Sequence, residues 1–296
     1  MISKQRVRDS SLAIQSILEA QPEMVWGSKD LEVLLAKTKN EWGSGNTVQD
    51  ANILALLADR RILRTTVVDY NRGTTLLYVS PNAHRAEIGL AVRRGSYLAY
   101  FTALHLWDLT KTIPKLFQTN LEQFKKRQGE KPELEQLNVD KSFARPMRQS
   151  SEFAEFEFTE TKYRAQFLSG IKTERLGVTT VQIGGRELPV TDVERTLIDA
   201  LVRPIYCGGV DEVLHAFQKA KDRCSVKRTL SYLKKMDFIY PYHQLLGFYL
   251  ERAGYPAKEL EQIEKIQTSI DFYLTYEMRE KNYSKKWKVY YPAELD

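Results

Sequence analysis

Residues 178–204 constrain the fold of this chain more than any other stretch, because they specify a strand pair, a tight turn and a capped helix in direct succession. Val178-Thr-Thr-Val-Gln-Ile183 and Arg186-Glu-Leu-Pro-Val190 read as strands joined by Gly184-Gly185, a two-residue hairpin turn. In the following Val190-Thr-Asp-Val-Glu-Arg-Thr-Leu-Ile-Asp-Ala-Leu201, Thr191 and Glu194 stand at the T-x-x-E spacing of a capping box, each side chain satisfying a free backbone N–H. Asp192 adds negative charge at the positive end of the helix dipole. Val193, Leu197, Ala200 and Leu201 recur at helical spacing and predict a buried stripe. Arg195, Asp199 and Arg203 lie four apart and predict ion pairs along the opposite face, and Pro204 ends the helix. The chemical alternative is an acidic metal cluster of Asp192, Glu194 and Asp199. Capping and pairing already employ every one of these carboxylates, so the segment is read as structural.

The first eighty residues carry a different pattern. Val7 to Ala20 predicts a helix with Leu12, Ala13, Ile17 and Leu18 inward, and Pro22 and Gly27 bound a loop. Ser28 is the expected N-cap of a second helix, with Leu31, Leu34 and Leu35 as its apolar stripe. After the polar break Trp42-Gly-Ser-Gly-Asn46, Thr47 is the expected cap of a third, with Ile53, Leu54, Leu57 and Ala58 inward. Ile62 to Tyr70, a turn at Asn71-Arg-Gly73, and Thr74 to Val79 then read as a hairpin. Three helices followed by a hairpin is the winged helix-turn-helix order. On that reading the Thr47 helix enters the major groove, and Gln49 and Asn52 point away from Leu54 and Ala58. Amide side chains there suit the N6 and N7 of adenine. Arg60, Arg61 and Arg64 at the helix end and wing base, and Arg72 at the wing tip, are candidates for phosphate or minor-groove contacts. Asp50 and Asp59 on the same surface would repel phosphates, and favour a winged helix that docks on protein instead.

Charge leaves both options open. The formal net charge is +6 and the isoelectric point about 9.0, compatible with a polyanionic partner. Before residue 80, however, about ten Lys and Arg face about nine Asp and Glu. Most of the surplus sits at Lys125-Lys-Arg127, at Arg145 to Arg148 and at Lys281 to Lys288. No run of about 18 apolar residues exists to span a bilayer, and the first residues lack the apolar core of a signal peptide. Cys207 and Cys224 form no C-x-x-C or zinc pattern, as expected of reduced thiols in a cytoplasmic protein.

Beyond residue 80, Ser96 is the expected cap of a helix ending near Leu109, with Leu98, Phe101, Leu104 and Trp107 within it and His105 as a core or rim residue. Thr112 to Thr119 and Phe153 to Thr159 read as strands. From Asp211 the chain reads as helical: Asp211 to Arg223, Ser225 to Met236, Tyr242 to Ala253, and Lys258 to about Thr268. The fold class is therefore α+β, a winged helix-turn-helix over 1–80 followed by a larger α+β domain over 81–296 with a helical C-terminal half. The sequence carries no Walker A loop, no G-x-G-x-x-G after a strand, no G-x-S-x-G elbow and no H-E-x-x-H. We therefore expect no enzyme, no metal and no cofactor.

Val190 to Leu201, taken with Ser96-Tyr-Leu-Ala-Tyr-Phe-Thr-Ala-Leu-His-Leu-Trp-Asp-Leu-Thr110, resembles the AbiEi family of antitoxins from type IV toxin-antitoxin systems. The likeness extends to Asp271-Phe-Tyr-Leu274 and Tyr283-Ser-Lys-Lys-Trp287. It marks Thr191, Asp192, Glu194, Arg195 and Asp199 as the family motif. It implies a transcriptional autorepressor on an inverted-repeat operator, whose C-terminal domain counters a nucleotidyltransferase-like toxin of the AbiEii class without a stable complex, in phage abortive infection or plasmid maintenance. Two alternatives stand beside it: a nuclease or phosphotransferase that reverses the toxin's product, and a protein-interaction module that binds no DNA. If the two domains separate near residues 80–90, a fragment from about residue 85 onward should still rescue cells from the toxin.

Overall fold

The computed structural model describes residues 4–38, 41, 50–71, 73–114, 116–124 and 133–296, without the side chains of 4–10 and 50–52. The chain begins α1 (Lys4–Glu19), β1 (Val25–Gly27), α2 (Ser28–Lys37), α3 (Asp50–Asp59), β2 (Arg64–Tyr70), β3 (Gly73–Val79) and α4 (Arg85–Val92). It continues through β4 (Tyr97–Leu98), α5 (Tyr100–Leu106), β5 (Phe117–Glu122), α6 (Gln136–Phe143), β6 (Phe153–Phe158), β7 (Thr161–Gly170), β8 (Val178–Ile183) and β9 (Arg186–Thr191). A helical run follows: α7 (Val193–Val202), a 3₁₀ turn (Pro204–Cys207), α8 (Val210–Lys219), α9 (Val226–Met236), α10 (Tyr242–Arg252) and α11 (Ala257–Glu264). Short strands β10 (Phe272–Tyr273), β11 (Lys281–Ser284) and β12 (Val289–Pro292) follow, and a second 3₁₀ turn (Ala293–Leu295) comes last. The fold is mixed α+β.

Two compact units share these elements, and the division is not a single cut at residue 80. One comprises 1–95 with 152–167 and 182–186, and the other 96–151, 168–181 and 187–296. In the first, β1 pairs antiparallel with β3, β3 with β2, β2 with β6, and β6 with β7. Residues 152–167 belong there because Val68 lies opposite Phe156, both buried, and the Thr66 hydroxyl donates to the Glu157 carbonyl at 2.8 Å. Arg186 joins the same unit through an ion pair with the buried Glu87, 3.2 Å apart. Ile14, Leu18, Leu31, Leu35, Ile53 and Leu57 fill its core from α1, α2 and α3, with Leu63 from the turn before β2.

In the second unit β4 pairs antiparallel with β5 and parallel with β9, with Leu98 opposite Val190. Helix α7 is its centre: the residues from Glu194 to Leu201 are all buried. Leu197, Ile198 and Leu201 belong to one apolar cluster with Phe217, Leu230, Leu246, Phe248 and Phe272. The last strands form a separate small sheet in the order β10-β12-β11.

Three expected starts moved. Ser28 does not cap α2; Gly27 holds that position, because β1 runs into the helix with no intervening residue. Ser96 does not cap α5, because Tyr97 and Leu98 are drawn into the sheet opposite Asn120 and Thr119 and the helix begins after Ala99. The strand expected at Thr112 to Thr119 runs from Phe117 to Glu122, since the Thr110 hydroxyl accepts the Thr112 N–H at 2.9 Å and turns the chain there. Among the described residues no helix is long and apolar enough to cross a membrane.

Candidate functional site

The predicted DNA-contacting residues belong to the first unit. Thr47, Gln49 and Arg72 lie outside the described residues, and Asn52 is described only by its backbone, in the first turn of α3. Arg60, Arg61 and Arg64 are all exposed at the turn from α3 to β2. That turn folds back on its helix: the N–H groups of Ile62 and Leu63 both donate to the Leu57 carbonyl, at 3.0 and 3.2 Å. Arg61 follows α3 with φ of +57°, and Leu63, between Arg61 and Arg64 in sequence, is buried. Arg60 reaches back to α1, donating to the Ser11 hydroxyl at 3.2 Å. Arg64 opens β2 opposite Val79. Asp59 is exposed beside them.

The resemblance motif sits in the second unit, and it is assembled differently from the expectation. Thr191 and Glu194 do not form a capping box. Thr191 ends β9; its hydroxyl lies 2.8 Å from that of Thr196, and its carbonyl accepts the indole N–H of Trp107 at 2.6 Å. The cap is Asp192, one residue later, whose Oδ1 accepts the Arg195 N–H at 2.8 Å. The other oxygen of Asp192 accepts the Tyr232 hydroxyl at 2.9 Å, and its backbone N–H donates to Gly177. Burial pushes the Asp192 carboxyl up, against the lowering effect of the Arg195 N–H and the Tyr232 hydroxyl. Glu194 turns away from its own helix start. It is fully buried and accepts the backbone N–H of Ser225 at 2.8 Å and the guanidinium of Arg228.

Arg195 and Asp199 do not lie on a solvent face either. The Arg195 side chain is only 2% exposed, and its Nε donates to Asp199 Oδ1 at 2.8 Å. One terminal nitrogen reaches the Leu176 carbonyl at 2.8 Å and the Thr173 hydroxyl at 3.2 Å; the other reaches the Tyr97 hydroxyl at 3.3 Å. Arg203 does not extend the ladder. It is the C-cap of α7, and its side chain donates to the Arg148 carbonyl at 3.4 Å. The physical reason is that strand and loop residues distant in sequence cover α7 on the side where solvent was expected.

Sequence reasoning missed Tyr97, Asn120, Glu122 and Thr173. Glu122 accepts the N–H of Thr173 at 3.0 Å, that of Arg175 at 3.1 Å, and the Thr173 hydroxyl. Burial works against its charge, yet these donors and the nearby Arg195 hold its carboxyl below the usual carboxylate range. Burial pushes the Tyr97 hydroxyl up to about 12, so at neutral pH it stays a donor, to Glu122 at 3.4 Å. The Asn120 amide donates to that same hydroxyl at 2.8 Å. Asp199 Oδ2 and Asn120 Oδ1 are buried with no partner among the described residues. The ensemble is one closed polar network that ties β4, β5, the 173–177 loop and α7 together. The signal that could have found it is the sequence of α7 itself, in which Thr196 and Ile198 leave no polar face wide enough for a solvated helix. Among the described residues no group of three or more His, Cys, Asp and Glu side chains is arranged to hold a metal ion.

No family model matches this chain, and no curated protein matches it. The crystal structure of the RV2827C protein from Mycobacterium tuberculosis is similar in fold. The two share 13% sequence identity at a TM-score of 0.53, over 95% of this chain and 91% of that one. At that identity the likeness is one of fold.

Proposed function

We propose that this chain is a cytoplasmic DNA-binding antitoxin of the AbiEi type. Its N-terminal unit carries a winged helix that represses its own operon, and its second unit counters a nucleotidyltransferase-like toxin. The observation that carries the DNA-binding part is the element order α1-β1-α2-α3-β2-β3, with β1-β3-β2 antiparallel and three exposed arginines where α3 passes into β2. In that order α3 is the recognition helix and the β2–β3 hairpin is the wing. Arg60, Arg61 and Arg64 then meet phosphates, as Arg72 does at the wing tip, and Thr47, Gln49 and Asn52 meet base edges. The antitoxin part rests on the resemblance of residues 96–110 and 190–201 to that family.

The experiment is a salt-titrated binding assay with duplex DNA from the chain's own promoter and with random duplex. Asn52→Ala, and likewise Gln49→Ala, should cost about 1–3 kcal/mol on the promoter and relax base preference. Arg64→Ala and Arg72→Ala should weaken both duplexes alike and each reduce the salt slope by about one unit. Binding without salt dependence, or no binding, would leave the N-terminal unit as a protein-docking module. Co-expression with a nucleotidyltransferase-like toxin of the AbiEii class tests the second unit: failure to rescue growth by a well-folded wild-type chain would end the antitoxin reading.

A further inference from the structure

The small sheet β10-β12-β11 carries a row of tyrosines to which the antitoxin reading assigns no role. Strand alternation sends Phe272, Val289 and Tyr291 into the core and the residues between them to the other face. The register sets Tyr273 on β10 opposite Tyr290 on β12, and Tyr283 on β11 opposite the same Tyr290. Their ring centroids are 5.1 and 4.8 Å apart, the first pair stacked and the second tilted at 43°, so the three form one contiguous row of rings across three strands. Phe143 continues it inward, stacked 5.5 Å from Tyr273. At the other end Tyr283, on an edge strand, is 38% exposed. Both outer tyrosines are fixed by their hydroxyls, Tyr273 to Asp140 at 2.9 Å and Tyr283 to Asp271 at 2.5 Å.

Positive charge lies on the ring faces, beside the carboxylates of Asp140 and Asp271 that hold the outer hydroxyls. The Lys281 ammonium lies 5.1 Å from the Tyr273 ring centre and 4.7 Å from that of Tyr290. From 279 to 288 the chain carries Arg279, Lys281, Lys285, Lys286 and Lys288 against one acid, Glu280. Lys286 is neutralised by Glu251 and Glu264, and Lys288 donates to the Thr268 carbonyl. Arg279, Lys281 and Lys285 remain exposed. Tyr273, Lys281 and Arg279 also wall a cleft of about 330 Å³, shared with Asp140 and Glu277.

We propose that this face binds single-stranded nucleic acid, with an unpaired base stacked on Tyr283, a second in the cleft beside Tyr273, and phosphates on Arg279, Lys281 and Lys285. A ring stack with flanking cations is the arrangement that accepts unpaired bases, since every base has a π-face and a strand supplies phosphates beside it. A duplex offers no such face, because its bases are already stacked on one another. The site is thus distinct in ligand from the duplex-binding surface proposed for α3 and the wing.

The test uses the full chain and dye-labelled twelve-nucleotide oligo-dT and oligo-U, followed by anisotropy over a salt series. Wild type should bind, with affinity falling as salt rises. Tyr283→Ala should weaken binding about fivefold to a hundredfold, whereas Tyr283→Phe, which keeps the ring and loses only the bond to Asp271, should stay within about twofold. Lys281→Ala should weaken binding and lower the salt slope by about 0.7. Thermal melts establish that each variant is folded, and Tyr283→Ala should leave promoter-duplex binding unchanged. Three results would overturn the proposal: no oligonucleotide binding by wild type, as for a face that takes an acidic protein; binding undiminished in folded Tyr283→Ala; or loss in Arg64→Ala but not in Tyr283→Ala, which would put the strand on the N-terminal unit. A wild type that binds the oligonucleotides but not the promoter would sustain this site and end the operator reading.

Discussion

The buried carboxylate of Glu194 in α7 accepts the backbone N–H of Ser225, the N-cap of α9, at 2.8 Å and across 31 residues of sequence. Ser225 in turn accepts the Arg228 N–H with its hydroxyl, and the Arg228 guanidinium returns to Glu194. One side chain therefore closes the start of a helix other than its own. This fixes what substitutions there should do.

Glu194→Ala should lower stability by about 2–3 kcal/mol, because it removes the acceptor of the Ser225 N–H and leaves a cavity where the fully buried side chain packed. Glu194→Gln keeps an acceptor of the same shape and should cost only about 1 kcal/mol. Arg228→Ala should cost less than about 1 kcal/mol, since its side chain is 53% exposed and water replaces the ion pair. Denaturant unfolding of the three variants checks the ranking. An Arg228→Ala loss as large as that of Glu194→Ala would mean the ion pair, and not the backbone cap, holds the helices together.

Gly177 makes a second prediction from the same region. Its φ is +71°, and a β-carbon there would come within 2.7 Å of the Arg195 Cβ and 2.8 Å of the Tyr232 ring. Gly185 has a similar φ of +78° but nothing within 4 Å of such a carbon. Gly185→Ala should therefore cost only the backbone strain, about 1–2 kcal/mol. Gly177→Ala adds a collision with two fixed side chains and should cost about 3 kcal/mol or more. Equal melting temperatures for the two variants would contradict the close approach.

These residues also show what could be read from the chain. Gly184 and Gly185 both adopt positive φ, +57° and +78°, as a two-residue hairpin turn demands. Ser225 caps α9, and the alternation of Phe153 to Phe158 became β6, because caps and period-two patterns are local signals. Strand β1 was not legible: three residues carry no periodicity, and their pairing with Leu77 to Val79 is a tertiary fact. Arg195 was misread for a related reason. Charged side chains four apart on a helix look like a solvated ladder until Tyr97, Thr173 and Leu176, all remote in sequence, close over them. The tyrosine row was partly legible, since Trp287, Val289 and Tyr291 alternate and all turn inward, leaving Tyr290 on the other face.

Histidine 84 supplies a pH dependence. It caps α4 with Nδ1, which accepts the Ala86 N–H at 3.3 Å, while Glu87 accepts the His84 N–H at 2.7 Å. Burial first, and then the neighbouring Arg85 charge, lower its pKa below the ordinary 6.5. A lowered folded-state value means the unfolded chain binds the proton more readily. The cap's contribution is therefore complete above pH 6.5 and is lost as pH falls from 6.5 through the folded value. Amide exchange in α4, corrected for intrinsic rates, should speed up below pH 6.5, and His84→Asn, which caps without titrating, should flatten that dependence. An unchanged pH profile in His84→Asn would remove the imidazole from the account.

The last prediction concerns truncation. A cut near residue 85 leaves β6 without β2, exposing the N–H and C=O groups that pair at Val68, Asp69 and Tyr70. It also uncovers Phe156 and Ala154, both buried, and leaves Glu157 without the Thr66 hydroxyl. An unprotected edge of this kind, alternating apolar and acidic, is a template for pairing with another chain. A fragment of residues 85–296 should therefore elute as oligomers or aggregate and melt below the full chain, contrary to the separation expected from sequence. Lysines replacing Ala154 and Phe156 in that fragment should restore a monomer, since they remove the apolar rows that the lost strand covered. Gel filtration with light scattering decides the matter: a monomeric, cooperatively melting 85–296 fragment with its native residues would show that β6 needs no partner from residues 1–84.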